Sequence, residues 1–277
     1  MLHIPQTEQD LLRLLAQYPI RAFWAGGTDL SVALQRGQLP WTEEIHDVDL
    51  SRLKPLWNEI WVHRDALEIG ALVTVRDLVD SPLVRTLTPV LHAAAQSFGS
   101  PPIRNMATLG GNLANASPAA DLWPPLLVLE ATVELLSPRG SREVPLAEFY
   151  TGYRQTVRAP DEVIRRIRIP AASLELPHYY RKVGLRQSQA IAVVSLAAVR
   201  TSCGKIRLSA GAVNPTVTRL QHVEHLLALG ELPSRQALWE ALQADIHPIT
   251  DVRATAEYRL ATTFGLLQEA LEELSHA

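Results

Sequence analysis

Leu11, Leu12, Leu14 and Leu15 recur at helical spacing behind Thr7, and Pro19 stops the run, so residues 7–18 read as a short amphipathic helix that opens the chain. Ala22-Phe23-Trp24-Ala25 is a brief apolar stretch of strand character that runs straight into Gly26-Gly27. Residues 30–36 then read as a helix leaving that turn, and residues 45–48 and 67–71 as further strands, the second followed by a helix through Val79. Residues 90–98 form an alanine-rich helix closed by Gly99, and Pro101-Pro102 predicts a sharp, extended exit. A helix over 124–129 and strands over 132–136 and 162–170 follow, with Arg165, Arg166 and Arg168 on the wet side of the last. After the small residues Ala171-Ala172-Ser173 the texture changes. Strand-like stretches at 179–183, 190–200 and 205–212 precede helical spacing over 219–229, 234–244 and 255–274, the strands-then-helices order of an α+β module.

Composition sets outer limits on this picture. The chain has 277 residues, 47% of them hydrophobic and 20% charged, enough for two cores, and its net charge of −3 provides no basic field for a nucleic acid. Cys203 is the single cysteine, which excludes an internal disulfide and any four-cysteine iron–sulfur or zinc site on this chain and points to the reducing cytoplasm. The first residues lack a basic stretch followed by an apolar one, so they do not read as a signal peptide. The longest apolar run, 190–199, is about half the length of a bilayer-spanning helix and suits a buried strand better.

Two glycine-paired segments carry the chemistry. Ala25-Gly26-Gly27-Thr28-Asp29 and Thr108-Leu109-Gly110-Gly111-Asn112 each set two glycines beside small polar side chains, so main-chain N–H groups can close on an anion with no Cβ in the way. Paired in one chain, they read as two halves of a clamp on the diphosphate of a dinucleotide. None of the fourteen glycines forms a Gly-x-Gly-x-x-Gly or a Gly-Lys-Ser/Thr, which disfavours a Rossmann domain and a P-loop. No Ser/His/Asp arrangement suggests a nucleophile, so no residue is assigned to catalysis. His222 and His225 share a helix face without a third ligand and read as surface residues, which leaves no metal site.

Ile103-Arg104-Asn105-Met106-Ala107-Thr108-Leu109-Gly110-Gly111-Asn112, with Glu148-Phe149-Tyr150-Thr151-Gly152-Tyr153-Arg154, Asp161-Glu162-Val163-Ile164, Tyr180-Arg181-Lys182-Val183-Gly184 and the late 248–259 segment, forms an ordered series over nearly the whole chain. The series resembles the flavin subunit of the molybdenum hydroxylases, the group containing xanthine dehydrogenase and aerobic carbon monoxide dehydrogenase. The resemblance implies an α+β chain. A two-lobed FAD-binding fold of the vanillyl-alcohol oxidase (PCMH) type would occupy residues 1–170, its lobes split near 50–60, and a smaller α+β domain with a three-stranded sheet would occupy 175–277.

It further implies that Ala22, Phe23, Trp24, Ala25, Gly26, Gly27, Thr28 and Asp29, with Thr108, Leu109, Gly110, Gly111 and Asn112, bind the FAD diphosphate and ribityl chain. Asp121 would lie near the ribityl hydroxyls, Phe98 and Ile164 against the flavin, and Lys182 close to it. Tyr150 and Tyr153 belong to the same region without an assigned contact. The implied partners are a molybdopterin-binding large subunit and a [2Fe–2S] small subunit in a dimer of heterotrimers, with electrons passing through FAD to NAD, a quinone or another acceptor. Two alternatives stay open at this point: a stand-alone FAD-dependent reductase on the same fold, and a flavin-free docking scaffold.

Overall fold

The computed structural model describes residues 1–39, 44–186, 190–230 and 233–276. The first helix, Glu8–Gln17, starts where the sequence places it because Thr7 accepts from the Asp10 N–H while Asp10 reaches back to the Thr7 N–H. It packs Leu11 and Leu15 onto a small parallel sheet in the order Leu2–His3, His46–Asp49, Ile20–Trp24. A five-stranded antiparallel sheet follows, in the order Ile60–His63, Ala66–Gly70, Val163–Ile169, Thr132–Ser137, Gly140–Pro145. The strand latest in sequence therefore sits at its centre, and the helices between Val75 and Val128 cover it, burying Leu91, Leu109, Leu113, Trp123 and Leu126 against Val133 and Ile167.

The C-terminal sheet runs His178–Gly184, Ala192–Arg200, Ile206–Gly211, Thr218–Arg219, all antiparallel. Its second strand explains the uninterrupted apolar run in the sequence, because both faces are buried. Val194, Leu196 and Ala198 point to a core closed by helices Arg235–Asp245 and Ala256–Ser275, whereas Ala197 and Val199 join the core of the first part. Two successive α+β units thus share a seam of packed side chains.

Three expectations change. Pro101 and Pro102 do not force an extended exit but open a helix, Pro101–Met106, where their missing N–H groups fall among donors that a helix start leaves unpaired anyway. The C-terminal sheet has a fourth, two-residue strand, Thr218–Arg219, too short to show a period, and the helix expected from 219 begins at Gln221. The small residues 171–173 form a packed 3₁₀ turn, with the buried Ser173 hydroxyl accepting from Arg207 Nη1 at 3.0 Å.

Candidate cofactor site

The first glycine segment is carried by strand Ile20–Trp24. Asp47, fully buried on the neighbouring strand, accepts from Arg21 Nε at 2.9 Å and from Trp24 Nε1 at 3.1 Å, which pins the indole. Gly27 lies over that indole in the left-handed region, φ +67°, where a side chain would be strained. Helix Leu30–Gln35 leaves the turn, with the Ser31 and Ala33 N–H groups donating to Gly27 and Asp29 carbonyls. The N–H groups of Gly26, Gly27, Thr28 and Asp29 donate to no acceptor among the described residues.

The second segment behaves differently. Residues Leu109–Ala114 are a helix whose first amides are already used: Leu109 N–H donates to Val73 O and Gly110 N–H to Ala71 O, both at 2.9 Å. Gly111 N–H donates to Thr108 Oγ1 at 3.1 Å and Asn112 N–H to Thr108 O at 3.0 Å. The amides of residues 109–112 are therefore not free as expected, because the segment caps its own helix and pairs with residues 71–73. The two glycines have separate tasks. A Cβ on Gly110 would lie 2.7 Å from Ala71 Cβ, whereas Gly111 is exposed and a Cβ there would meet only Thr108 Oγ1.

The two segments nevertheless meet: a Cβ on Gly26 would lie 1.8 Å from the Met106 carbonyl oxygen. Asn112 Oδ1 and Asp121 Oδ1 are buried oxygens without a partner among the described residues. Asp121 Oδ2 accepts from Lys182 Nζ at 2.5 Å, and the same ammonium donates to Ser97 O at 3.3 Å, tying the C-terminal sheet to the helix before Phe98. Both side chains of that pair are nearly sealed, 7% exposed for Lys182 and 10% for Asp121. Phe98 is half-buried on the main core, its carbonyl held by Arg104 Nη1 at 2.9 Å. Ile164 is a core residue beside the register shift of the central strand. Tyr150 stacks on Trp123 with ring centres 3.4 Å apart and donates to Leu113 O at 3.4 Å, whereas Tyr153 is exposed. His222 lies far from all of this, on Asp245 at 2.8 Å.

Sequence reasoning missed Asp47 and Ser100. The strand His46–Asp49 reads His-Asp-Val-Asp, and nothing in that polar run singles out Asp47 from Asp49. Ser100 precedes two prolines that offer no N–H for its side chain to cap, and its buried hydroxyl has no partner among the described residues.

Comparison with known proteins settles the family. Residues 1–172 match the family described as FAD binding domain in molybdopterin dehydrogenase, and residues 178–274 match the CO dehydrogenase flavoprotein C-terminal domain. The chain belongs to the FAD-binding subunits of the molybdopterin hydroxylases, the xanthine and carbon monoxide dehydrogenase family. It is 31% identical over 278 residues to the xanthine dehydrogenase FAD-binding subunit of Escherichia coli O157:H7, covering 98% of this chain and 94% of that one. It is 30% identical over 277 residues to the carbon monoxide dehydrogenase medium chain of Hydrogenophaga pseudoflava, covering 97% and 94%. The solved carbon monoxide dehydrogenase from that organism superimposes with a TM-score of 0.89 at 28% identity, covering 99% of this chain and 96% of that chain. The quinoline 2-oxidoreductase of Pseudomonas putida 86 gives 0.87 at 25% identity, covering 100% and 97%. The fold is accordingly the PCMH-type α+β FAD domain followed by the family's C-terminal flavoprotein domain.

The residues of this FAD-binding subunit fit such a cofactor: unshared amides at 26–29 suit a diphosphate, and the partnerless oxygens of Asn112 and Asp121 suit hydroxyl donors. Burial raises the Asp121 carboxyl from 3.8 to about 6, against the opposing pull of Lys182. At this group the native state therefore binds the proton more tightly than the unfolded chain, so its contribution to stability falls as pH rises from about 4 to about 6, by up to about 3 kcal/mol. His3 and His178, whose values burial lowers, slope the opposite way in parent and variant alike. Apo Asp121→Asn is expected to lose less melting temperature than the parent across that window. Parallel profiles by scanning calorimetry would show that the carboxyl is hydrated.

Among the described residues no group of three His, Cys, Asp or Glu side chains is placed to hold a metal ion, and no helix is long and apolar enough to cross a membrane.

Proposed function

We propose that this FAD-binding subunit is the electron-transfer chain of a cytoplasmic molybdenum hydroxylase. Its partners are a molybdopterin-binding large subunit and a small subunit with [2Fe–2S] clusters, assembled as a dimer of trimers. Electrons arriving from those clusters pass on to NAD, a quinone or another acceptor. The observation that carries this reading is the row of unshared N–H groups at Gly26–Asp29, set against the partnerless oxygens of Asn112 and Asp121. A single exposed cysteine, Cys203, leaves the clusters to another chain, and the relatives named as FAD-binding subunit and medium chain fit the same division of labour.

In this reading residues 22–29 deliver the diphosphate-binding amides, with the Thr28 hydroxyl as a further donor. Thr108, Leu109 and Gly110 hold the facing helix start against residues 71–73, and Gly111 leaves its outer side open to the cofactor. Asn112 and Asp121 accept from the ribityl hydroxyls, Phe98 and Ile164 border the ring, and Lys182 keeps a positive charge beside it. When bound, FAD supplies uptake of single electrons and delivery of pairs. The chain's own contribution is binding, orientation and electrostatics.

The test is an absorption spectrum of the purified chain with chromatography of the flavin released on denaturation, expected to show about one FAD per chain. Gly111→Val tests the placement. Beyond the backbone of its own helix, a new Cβ there meets only the Thr108 hydroxyl oxygen among the described residues, at 2.9 Å, so the apo protein is expected to melt close to the parent while flavin content drops several-fold. Equal flavin content in the two proteins would remove Gly111 from the site.

A further inference from the structure

Arg158 sits in the turn that leads into the central strand Val163–Ile169, where the small parallel sheet meets the larger one. Its Nη1 donates to the carbonyls of Ala159 at 3.2 Å and Glu162 at 2.7 Å, and its guanidinium carbon lies 5.4 Å from the centre of the Phe23 ring. No carboxylate among the described residues is bonded to it. The Glu162 carboxylate is already held by Arg142, through Nε at 2.6 Å and Nη2 at 2.9 Å, and by the Ala159 N–H at 2.8 Å. Nε and Nη2 of Arg158 thus have no acceptor among the described residues, and burial pulls the guanidinium below its ordinary pKa.

A half-buried cation without a counter-ion costs stability unless an anion or a π-face completes it. Phe23 lies on the strand that feeds the free amides of the first glycine turn, three residues before Gly26, a span of about 10 Å in extended chain. That is the scale on which a nucleoside extends from its phosphates.

We propose that Arg158, backed by Phe23, holds the adenylate half of FAD, its free Nε and Nη2 edge donating to the oxygens of the adenosine phosphate and ribose. The proposal depends on the flavin reading above and adds to it the residue that makes this chain prefer FAD to FMN. A guanidinium presents a planar fork that suits such oxygens, and a lysine ammonium does not reproduce it.

The experiment uses the apo full-length chain, with Arg158→Gln and Arg158→Lys beside the parent. FAD and FMN are titrated by flavin fluorescence quenching and ADP by calorimetry. In Arg158→Gln the affinities for FAD and ADP are expected to fall about tenfold or more while the affinity for FMN is unchanged. Arg158→Lys, which keeps a cation near the loop carbonyls, is expected to fall between the two. Unchanged FAD and ADP affinities, or an FMN affinity that falls in parallel with FAD, would overturn the proposal, the second by exposing a purely structural role. A parent chain that takes up neither FAD nor ADP would overturn the flavin reading itself, and this inference with it.

Discussion

Gly26→Ala is expected to yield a chain that retains almost no FAD and melts about 6–12 °C below the parent. The new methyl group would stand 1.8 Å from the Met106 carbonyl oxygen, 2.6 Å from its carbon and 3.0 Å from Ala107 Cα. None of these atoms can yield cheaply. The Ala107 N–H is bonded to Ile103 O at 2.8 Å and the Ala107 carbonyl accepts from the Val75 N–H at 2.9 Å, so residues 106–107 are fixed from both sides. One of the two glycine segments must then move by more than an ångström, at a cost of about 3 kcal/mol or more, and the alignment of the free amides with the opposite wall is lost with it. Thermal unfolding of the apo chain and quantitation of released flavin check both parts. Gly265→Ala is the control: a Cβ on this helical glycine meets nothing within 4 Å, so the substitution should leave flavin content alone and stabilise slightly. A Gly26→Ala protein with normal flavin content would mean that the two segments are not in backbone contact.

The second large effect is expected for Arg259→Met, which should destabilise the chain by about 3–5 kcal/mol without touching the Gly26–Asp29 turn. Arg259 is buried in helix Ala256–Ser275. Its Nη1 donates to the carbonyls of Val193 and Ala212, and its Nη2 to Asp251 Oδ1 at 2.7 Å. Methionine fills much of the same volume but strands the buried Val193 carbonyl and the partly buried Ala212 carbonyl, and among the described residues it leaves Asp251 with the Arg253 side chain and two backbone N–H donors. Ala212 holds a left-handed backbone, φ +62°, and its N–H donates to Pro118 O at 2.8 Å, just before Asp121, so the guanidinium braces a strained corner at the seam between the two domains. Arg259→Lys should recover little, because one ammonium cannot reach two carbonyls and a carboxylate in a planar fork. A melting temperature within a degree or two of the parent for Arg259→Met would remove this corner from the chain's stabilising structure.

The sequence by itself determined the elements whose signals are local. Thr7 and its leucines start and orient the first helix, the double-sided apolar run becomes Ala192–Arg200, and Gly26-Gly27 becomes a turn with unshared amides, because capping, side-chain period and glycine backbone freedom act over a few residues. The ordered motifs also carried the family and, with it, FAD. Tertiary structure decided what those signals could not. Pro101-Pro102 suits either an extended exit or a helix start, and in the folded chain it opens the helix Pro101–Met106, whose last backbone carbonyl lies beside Gly26. The Thr108–Asn112 segment has the residues of an anion clamp, yet its amides are taken by residues 71–73 and by its own cap, a competition visible only once those segments are side by side. The pairing of Asp121 with Lys182 across the domain seam was not legible, nor was the burial that raises the Asp121 carboxyl against the pull of that ammonium. Burial and partner choice depend on which distant segments meet, and that is a property of the whole packed chain rather than of any window along it.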